Sequence, residues 1–172
     1  RLRSLCTDCN LCVAKCIGQV LQPAGEVGIV HLTFDKGMCE YYCTTCGEVC
    51  PTGAITPLDL AIKQRTRLGL AVIEPSICVA FSTENACGAC AEHCPTGALR
   101  MKPDAEGHLV PMLTTELCIG CGSCEYPCPI RPIKAIRVHP LADGVQVLAT
   151  DPHEYFKPTE PTPEPASDEW LI

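Results

Sequence analysis

The chain has 172 residues, sixteen of them cysteine, and a formal net charge of −7. That acidity argues against a nucleic-acid surface, because phosphate recognition needs a basic patch, while it suits electrostatic docking to basic redox partners. Aromatic residues are only 5% of the chain, too few to supply an ordinary core, and such cysteine enrichment signals a fold held by covalent or coordinate links.

In chain order, the first cysteine group is Cys6, Cys9, Cys12 and Cys16, spaced C-x2-C-x2-C-x3-C and followed by Ile17. Residues 28–32 alternate apolar positions and predict a short strand. In the second group, Cys39, Cys43, Cys46 and Cys50, the first gap grows to three, and the chain continues Pro51-Thr52-Gly53-Ala54-Ile55. Residues 58–69 predict a helix joining the second group to the third. It carries Lys63, Arg65 and Arg67, a local exception to the acidity that reads as a solvated helix face, with a docking spot as the alternative.

Residues 69–73 predict a further strand. The third group, Cys78, Cys87, Cys90 and Cys94, has a first gap of eight and continues Pro95-Thr96-Gly97-Ala98-Leu99. Residues 98–101 and 108–112 predict two strands before the fourth group, Cys118, Cys121, Cys124 and Cys128, which restores the spacing of the first and ends in Pro129. Residues 135–138 predict a last strand. From Pro152 onward prolines alternate with acidic residues, which predicts an extended tail over 151–172. Its tip, Trp170-Leu171-Ile172, reads either as a frayed end or as a strap that docks on a partner.

Three chemistries compete for the cysteines. Structural disulfides suit an even count in a secreted chain, but repeated two-residue gaps would set neighbours competing for partners. Zinc takes paired knuckles separated by a longer loop. Cubane 4Fe–4S ligation explains the spacing, the proline after the fourth cysteine and the fourfold repetition together. Sixteen cysteines fill four quartets with none left over, so four 4Fe–4S clusters are expected. A short helical turn between the third and fourth cysteines of each group should stop at the proline. His93, beside Cys94, is read as a neighbour of the ligands or a surface residue. No dinucleotide fingerprint, P-loop or nucleophile elbow appears, so neither nucleotide chemistry nor a small-molecule substrate is expected.

In such runs the fourth cysteine ligates a different cluster from the first three, so the groups work in pairs. Adjacent pairing would exchange Cys16 with Cys50 and Cys94 with Cys128; nested pairing would exchange Cys16 with Cys128 and Cys50 with Cys94. The intervals leave both open. Nesting is favoured because the two undistorted runs are the outer two. The expected fold is therefore α+β, with two ferredoxin-like double-cluster units built from four internal repeats over residues 1–150. The outer unit would be 1–30 plus 105–150 and the inner unit 31–104.

The four groups, the Pro-Thr-Gly-Ala continuation after Cys50, and the run Arg67-Leu68-Gly69-Leu70-Ala71-Val72 before Cys78 resemble the NapG/MauM group of ferredoxin-type proteins. That resemblance implies an electron relay between a membrane quinol-oxidising protein and a redox enzyme. It also implies a membrane-associated place, peripheral or tethered through a segment ahead of Arg1, on the periplasmic side, and nested pairing as in similar four-cluster subunits. A regulatory or assembly protein whose clusters sense oxygen or iron is the alternative from another class.

Overall fold

The apolar runs between the cysteine groups are only long enough for a few strand residues. The computed structural model, described over residues 2–82, 86–141 and 148–157, uses them in that way. The first unit contains one-turn helices α1 (Leu2–Leu5) and α2 (Leu11–Ala14) and strands β1 (Leu21–Gln22) and β2 (His31–Leu32). Helix α3 (Thr45–Glu48) closes it. β1 and β2 pair antiparallel, Leu21 opposite Leu32, and the contact is extended by Thr33 N–H donating to the Val20 carbonyl at 2.9 Å. After one turn of helix, α4 (Leu60–Lys63), the chain enters a second unit.

The second unit contains β3 (Leu70–Ile73), α5 (Val79–Ser82), α6 (Ala89–Glu92), β4 (Leu99–Pro103), β5 (Leu109–Leu113) and β6 (Ile136–His139). β4 and β5 form a hairpin whose turn is fixed by Asp104: its Oδ1 accepts from the Glu106 and His108 amides, both at 2.9 Å. β3 pairs antiparallel with β6, Leu70 opposite His139 through Ile73 opposite Ile136. The core beneath these sheets is built of small residues and sulfur: Ala71, Ala98, Leu117, Cys118, Cys124 and Ile136 are all buried. Cysteine takes the place that aromatic residues hold in an ordinary core. No helix of the described residues is long and apolar enough to cross a membrane.

The β3–β6 ladder departs from the nested arrangement. It joins the lead-in of the third cysteine group to the lead-out of the fourth, so these two groups share one unit and the first two share the other. The outer-plus-inner division at 1–30, 31–104 and 105–150 is replaced by two consecutive units. The reason is non-local hydrogen bonding, to which the near-equal spacing of the groups is indifferent.

Two further expectations are corrected. The helix over 58–69 shortens to α4, because the chain beyond it is held from outside: Thr66 bridges Leu148, and the Leu68 amide donates to the Ile119 carbonyl at 2.8 Å. Its cations are not a solvated face either. Lys63 Nζ donates to the Glu40 carbonyl, Arg65 Nε to the Ala149 carbonyl at 3.0 Å, and Arg67 Nη2 to the Thr115 and Glu116 carbonyls at 2.8 and 3.0 Å. They pin the linker to both units. The tail, in turn, does not begin extended: Pro152 opens a turn of helix, α7 (Pro152–Tyr155), capped by Asp151, which accepts from the His153 amide at 2.9 Å. Proline is tolerated there because the first helical amide has no partner to lose. Phe156 then stacks under the Arg100 guanidinium, 3.9 Å from the ring centroid. The expected extended segment and its Trp170-Leu171-Ile172 tip lie outside the described residues.

Candidate metal centres

The third cysteine of a group sits in a tight turn each time. Cys12 lies in α2, Cys46 in α3 and Cys90 in α6; Cys124 lies in a turn where the Glu125 and Tyr126 amides both donate to the Gly122 carbonyl at 3.0 Å. In the first and fourth groups the second cysteine is flanked by left-handed backbone on both sides. Asp8 (φ 55°) and Asn10 (φ 58°) surround Cys9, and Gly120 (φ 65°) and Gly122 (φ 80°) surround Cys121. Aspartate and asparagine are among the few side-chain-bearing residues that visit this region readily. The shared spacing of the outer two runs therefore reflects a shared loop conformation, not a shared unit.

These turns gather the sixteen thiols around four cavities. Cys6, Cys9, Cys12 and Cys50 line the first, and Cys16, Cys39, Cys43 and Cys46 line the second, which Cys121 also reaches. Cys78, Cys87, Cys90 and Cys128 line the third; Cys94, Cys118, Cys121 and Cys124 line the fourth. Leaving aside the shared Cys121, each cavity takes three cysteines from one group and one from its neighbour in the same unit. Four soft thiols around one space are the donor set that holds a 4Fe–4S cubane, and all four cavities fit that group. Exposure is graded across them: Cys9 is exposed, whereas Cys118, Cys121 and Cys124 are all buried.

The fourth cysteines carry a feature that spacing alone did not disclose. The Ile55 amide donates to Cys50 Sγ at 3.4 Å and the Leu99 amide to Cys94 Sγ at 3.5 Å, five residues on in each case. Thr52 Oγ1 lies 3.7 Å from the first sulfur and the buried Thr96 Oγ1 lies 3.6 Å from the second. The repeated Pro-Thr-Gly-Ala continuation was the visible signal. Its glycines, Gly53 and Gly97, both at φ 64°, turn the backbone so that the later amide faces the sulfur. Ser123 Oγ lies 3.3 Å from Cys121 Sγ in the same manner.

Electrostatics follow burial. Loss of solvent pushes the Cys39 and Cys90 thiols up to about 11, and raises Cys121 and Cys124 as well. Cys50 goes the other way, because the Ile55 amide and then the Thr52 hydroxyl favour its thiolate. The interior thiols must therefore release protons as metal binds, and the bound cation supplies the compensation that the protein interior withholds. His93 is exposed, with Nδ1 2.8 Å from the Ala89 carbonyl of its own helical turn.

Donors to sulfur favour the more negatively charged, reduced form of a cluster. Thr96→Val keeps the volume and removes the hydroxyl. At about 0.5–1.5 kcal/mol for one hydrogen bond, the fourth site's potential should fall by roughly 20–60 mV. A potentiometric titration followed by EPR reads this directly, and an unchanged potential would remove Thr96 from that role.

Comparison with known proteins agrees with this geometry. A family model described as a 4Fe-4S dicluster domain matches residues 85–131, a span that takes in Cys87, Cys90, Cys94, Cys118, Cys121, Cys124 and Cys128. The ferredoxin-type protein NapF of Escherichia coli (strain K12) is 30% identical over 134 residues, which cover 78% of this chain and 77% of NapF. The chain belongs to the ferredoxin-type 4Fe–4S proteins. Its similarity extends to the methylamine utilization ferredoxin-type protein MauM of Methylobacillus flagellatus, 32% identical over 157 residues, covering 84% of this chain and 66% of MauM. MauM of Paracoccus denitrificans is 31% identical over 152 residues, covering 81% and 66%. This ferredoxin-type chain therefore spans about two thirds of the length of the MauM proteins. Of the NapG/MauM group that the sequence resembles, these relatives support the MauM side and not NapG specifically, and NapF stands beside MauM.

Proposed function

We propose that this ferredoxin-type protein carries single electrons through four 4Fe–4S clusters, one at each cysteine quartet, between a membrane quinol-oxidising protein and a redox enzyme. The observation that carries the reading is the set of four cavities, each lined by a quartet of thiols that together account for all sixteen, with Cys121 of the fourth quartet also reaching the second cavity. A bound cubane takes up and gives out one electron at a time. The chain's own contribution is to hold four sulfurs around each space, to aim the Ile55 and Leu99 amides and the Thr52 and Thr96 hydroxyls at the shared sulfurs, and to exclude water from the fourth site. In this reading Cys50 completes the first site, Cys16 the second, Cys128 the third and Cys94 the fourth. A membrane-associated position on the periplasmic side belongs to the same proposal and rests on likeness to the MauM group.

Anaerobic purification followed by iron and acid-labile sulfide analysis tests it. About sixteen irons and sixteen sulfides per chain are expected from four cubanes. About eight irons, or zinc with little sulfide, would overturn the reading. Co-purification from native membranes then identifies the donor and the acceptor.

A further inference from the structure

Resting on that four-cluster reading, we infer that the sites form one line in the order first, second, fourth, third, and that electrons pass between the two units at the contact of Cys39 with Cys121. The two residues belong to different units and different quartets, yet the Cys39 amide donates to the Cys121 carbonyl at 2.8 Å. Ile119 and Cys121, which wall the fourth cavity, also wall the second. Cys39 and Tyr41 pack on Ile119, Cys121 and Ala149, so the contact is apolar and closed.

The closure is reinforced from the far end of the chain. Ala149 is 1% exposed; its amide donates to the Arg65 carbonyl at 2.7 Å, and the Thr150 amide donates to Glu116 at 2.8 Å. This segment lies across the junction and keeps water from it. The other neighbours in the line follow from shared walls and facing thiols. The first and second cavities have Leu2, Val30 and Ile55 in common, and the helices that carry Cys12 and Cys46, α2 and α3, pack on each other. In the second unit the thiols of the third and fourth sites share one core: Cys78 and Cys128 are buried with Cys118 and Cys124, and Cys90 and Cys94 pack against them. Exposure differs along the line: Cys9 is exposed at the first site, whereas three of the four thiols at the fourth site are buried.

Each passage oxidises one site by one electron and reduces its neighbour by one, with no proton transferred and no bond made or broken at the cysteines. In the test, dithionite supplies the electrons. Removing the end sites with Cys12→Ala plus Cys90→Ala should leave a reduced EPR spectrum broadened by interaction between two neighbouring clusters. Removing the inner sites with Cys46→Ala plus Cys124→Ala should leave two signals without that interaction. The opposite pattern would overturn the order.

Should either double variant lose all iron, hydrogen exchange on the unaltered, cluster-loaded protein decides. The Cys39 and Leu68 amides, which bind across the junction, should exchange as slowly as those of the β3–β6 ladder, and rapid exchange at both would overturn the contact. Fewer than four clusters in the unaltered protein would be a failure of the proposed function. Four clusters with a non-interacting inner pair would be a failure of this inference alone.

Discussion

Cys124→Ala is expected to lower the iron content from about sixteen to about twelve per chain and to destabilise the whole second unit. The side chain is 7% exposed and belongs to the core with Ala71, Leu117, Cys118 and Ile136. Removing it takes away a ligand and a packing atom together. The three thiols that remain, Cys94, Cys118 and Cys121, would then line a cavity with one corner open. In a core of small residues the metal-ligand bonds supply folding free energy that side-chain burial does not. Thermal unfolding followed by circular dichroism should show a lower midpoint, and the β3–β6 ladder should lose its amide protection.

Cys9→Ala is the control. Cys9 is exposed at the edge of the first site, so the same iron loss should leave the second unit's protection in place. A Cys124→Ala protein that kept its full iron content and midpoint would refute the ligand assignment.

Gly120→Ala should cost about 2–5 kcal/mol, the sum of a left-handed backbone carrying a side chain and an overpacked contact. Gly120 has φ 65°, and a Cβ built there would stand 2.4 Å from the Gly69 carbonyl oxygen. That obstacle is backbone and cannot rotate aside. Gly69 is itself pressed between this loop and the end of β6, where a Cβ would meet the His139 carbonyl at 2.5 Å. The substitution must therefore push the linker, the fourth-group loop or β6 out of place, and with them the junction between the units. Gly107→Ala separates the two contributions: its φ is 88°, but nothing lies within 4 Å of its Cβ. It should cost only about 1–2 kcal/mol. Chemical denaturation of the cluster-loaded proteins measures both, and equal costs would mean that the close approach to Gly69 contributes nothing.

Much of the site could be read from the chain because ligation is largely local. Three thiols within seven or eight residues can reach three corners of one cube, so Cys6-Cys9-Cys12, Cys39-Cys43-Cys46 and Cys118-Cys121-Cys124 announce their chemistry without reference to anything distant. The short strands were legible for the same reason: alternation over four or five residues is a local pattern, and β3, β4, β5 and β6 lie where it placed them. The helix expected over 58–69 was misread because a helical pattern is only a propensity. Hydrogen bonds from residues as far as 84 positions away, such as Arg65 to Ala149, outweigh it.

The partner of each fourth cysteine lay beyond the sequence. The two undistorted runs pointed to nesting, but what they share is the left-handed loop around Cys9 and around Cys121, which Asp8 and Asn10 reach by local side-chain chemistry and Gly120 and Gly122 by having no Cβ. The residues themselves determine that there are four quartets of thiols, that their chemistry is iron–sulfur, and that a proline or its substitute closes each run. Tertiary structure decided which quartets share a unit and where the units touch. Those outcomes depend on the β3–β6 ladder and on the Cys39–Cys121 hydrogen bond, both formed between segments that lie far apart in the chain. No periodicity within one segment encodes such a pairing.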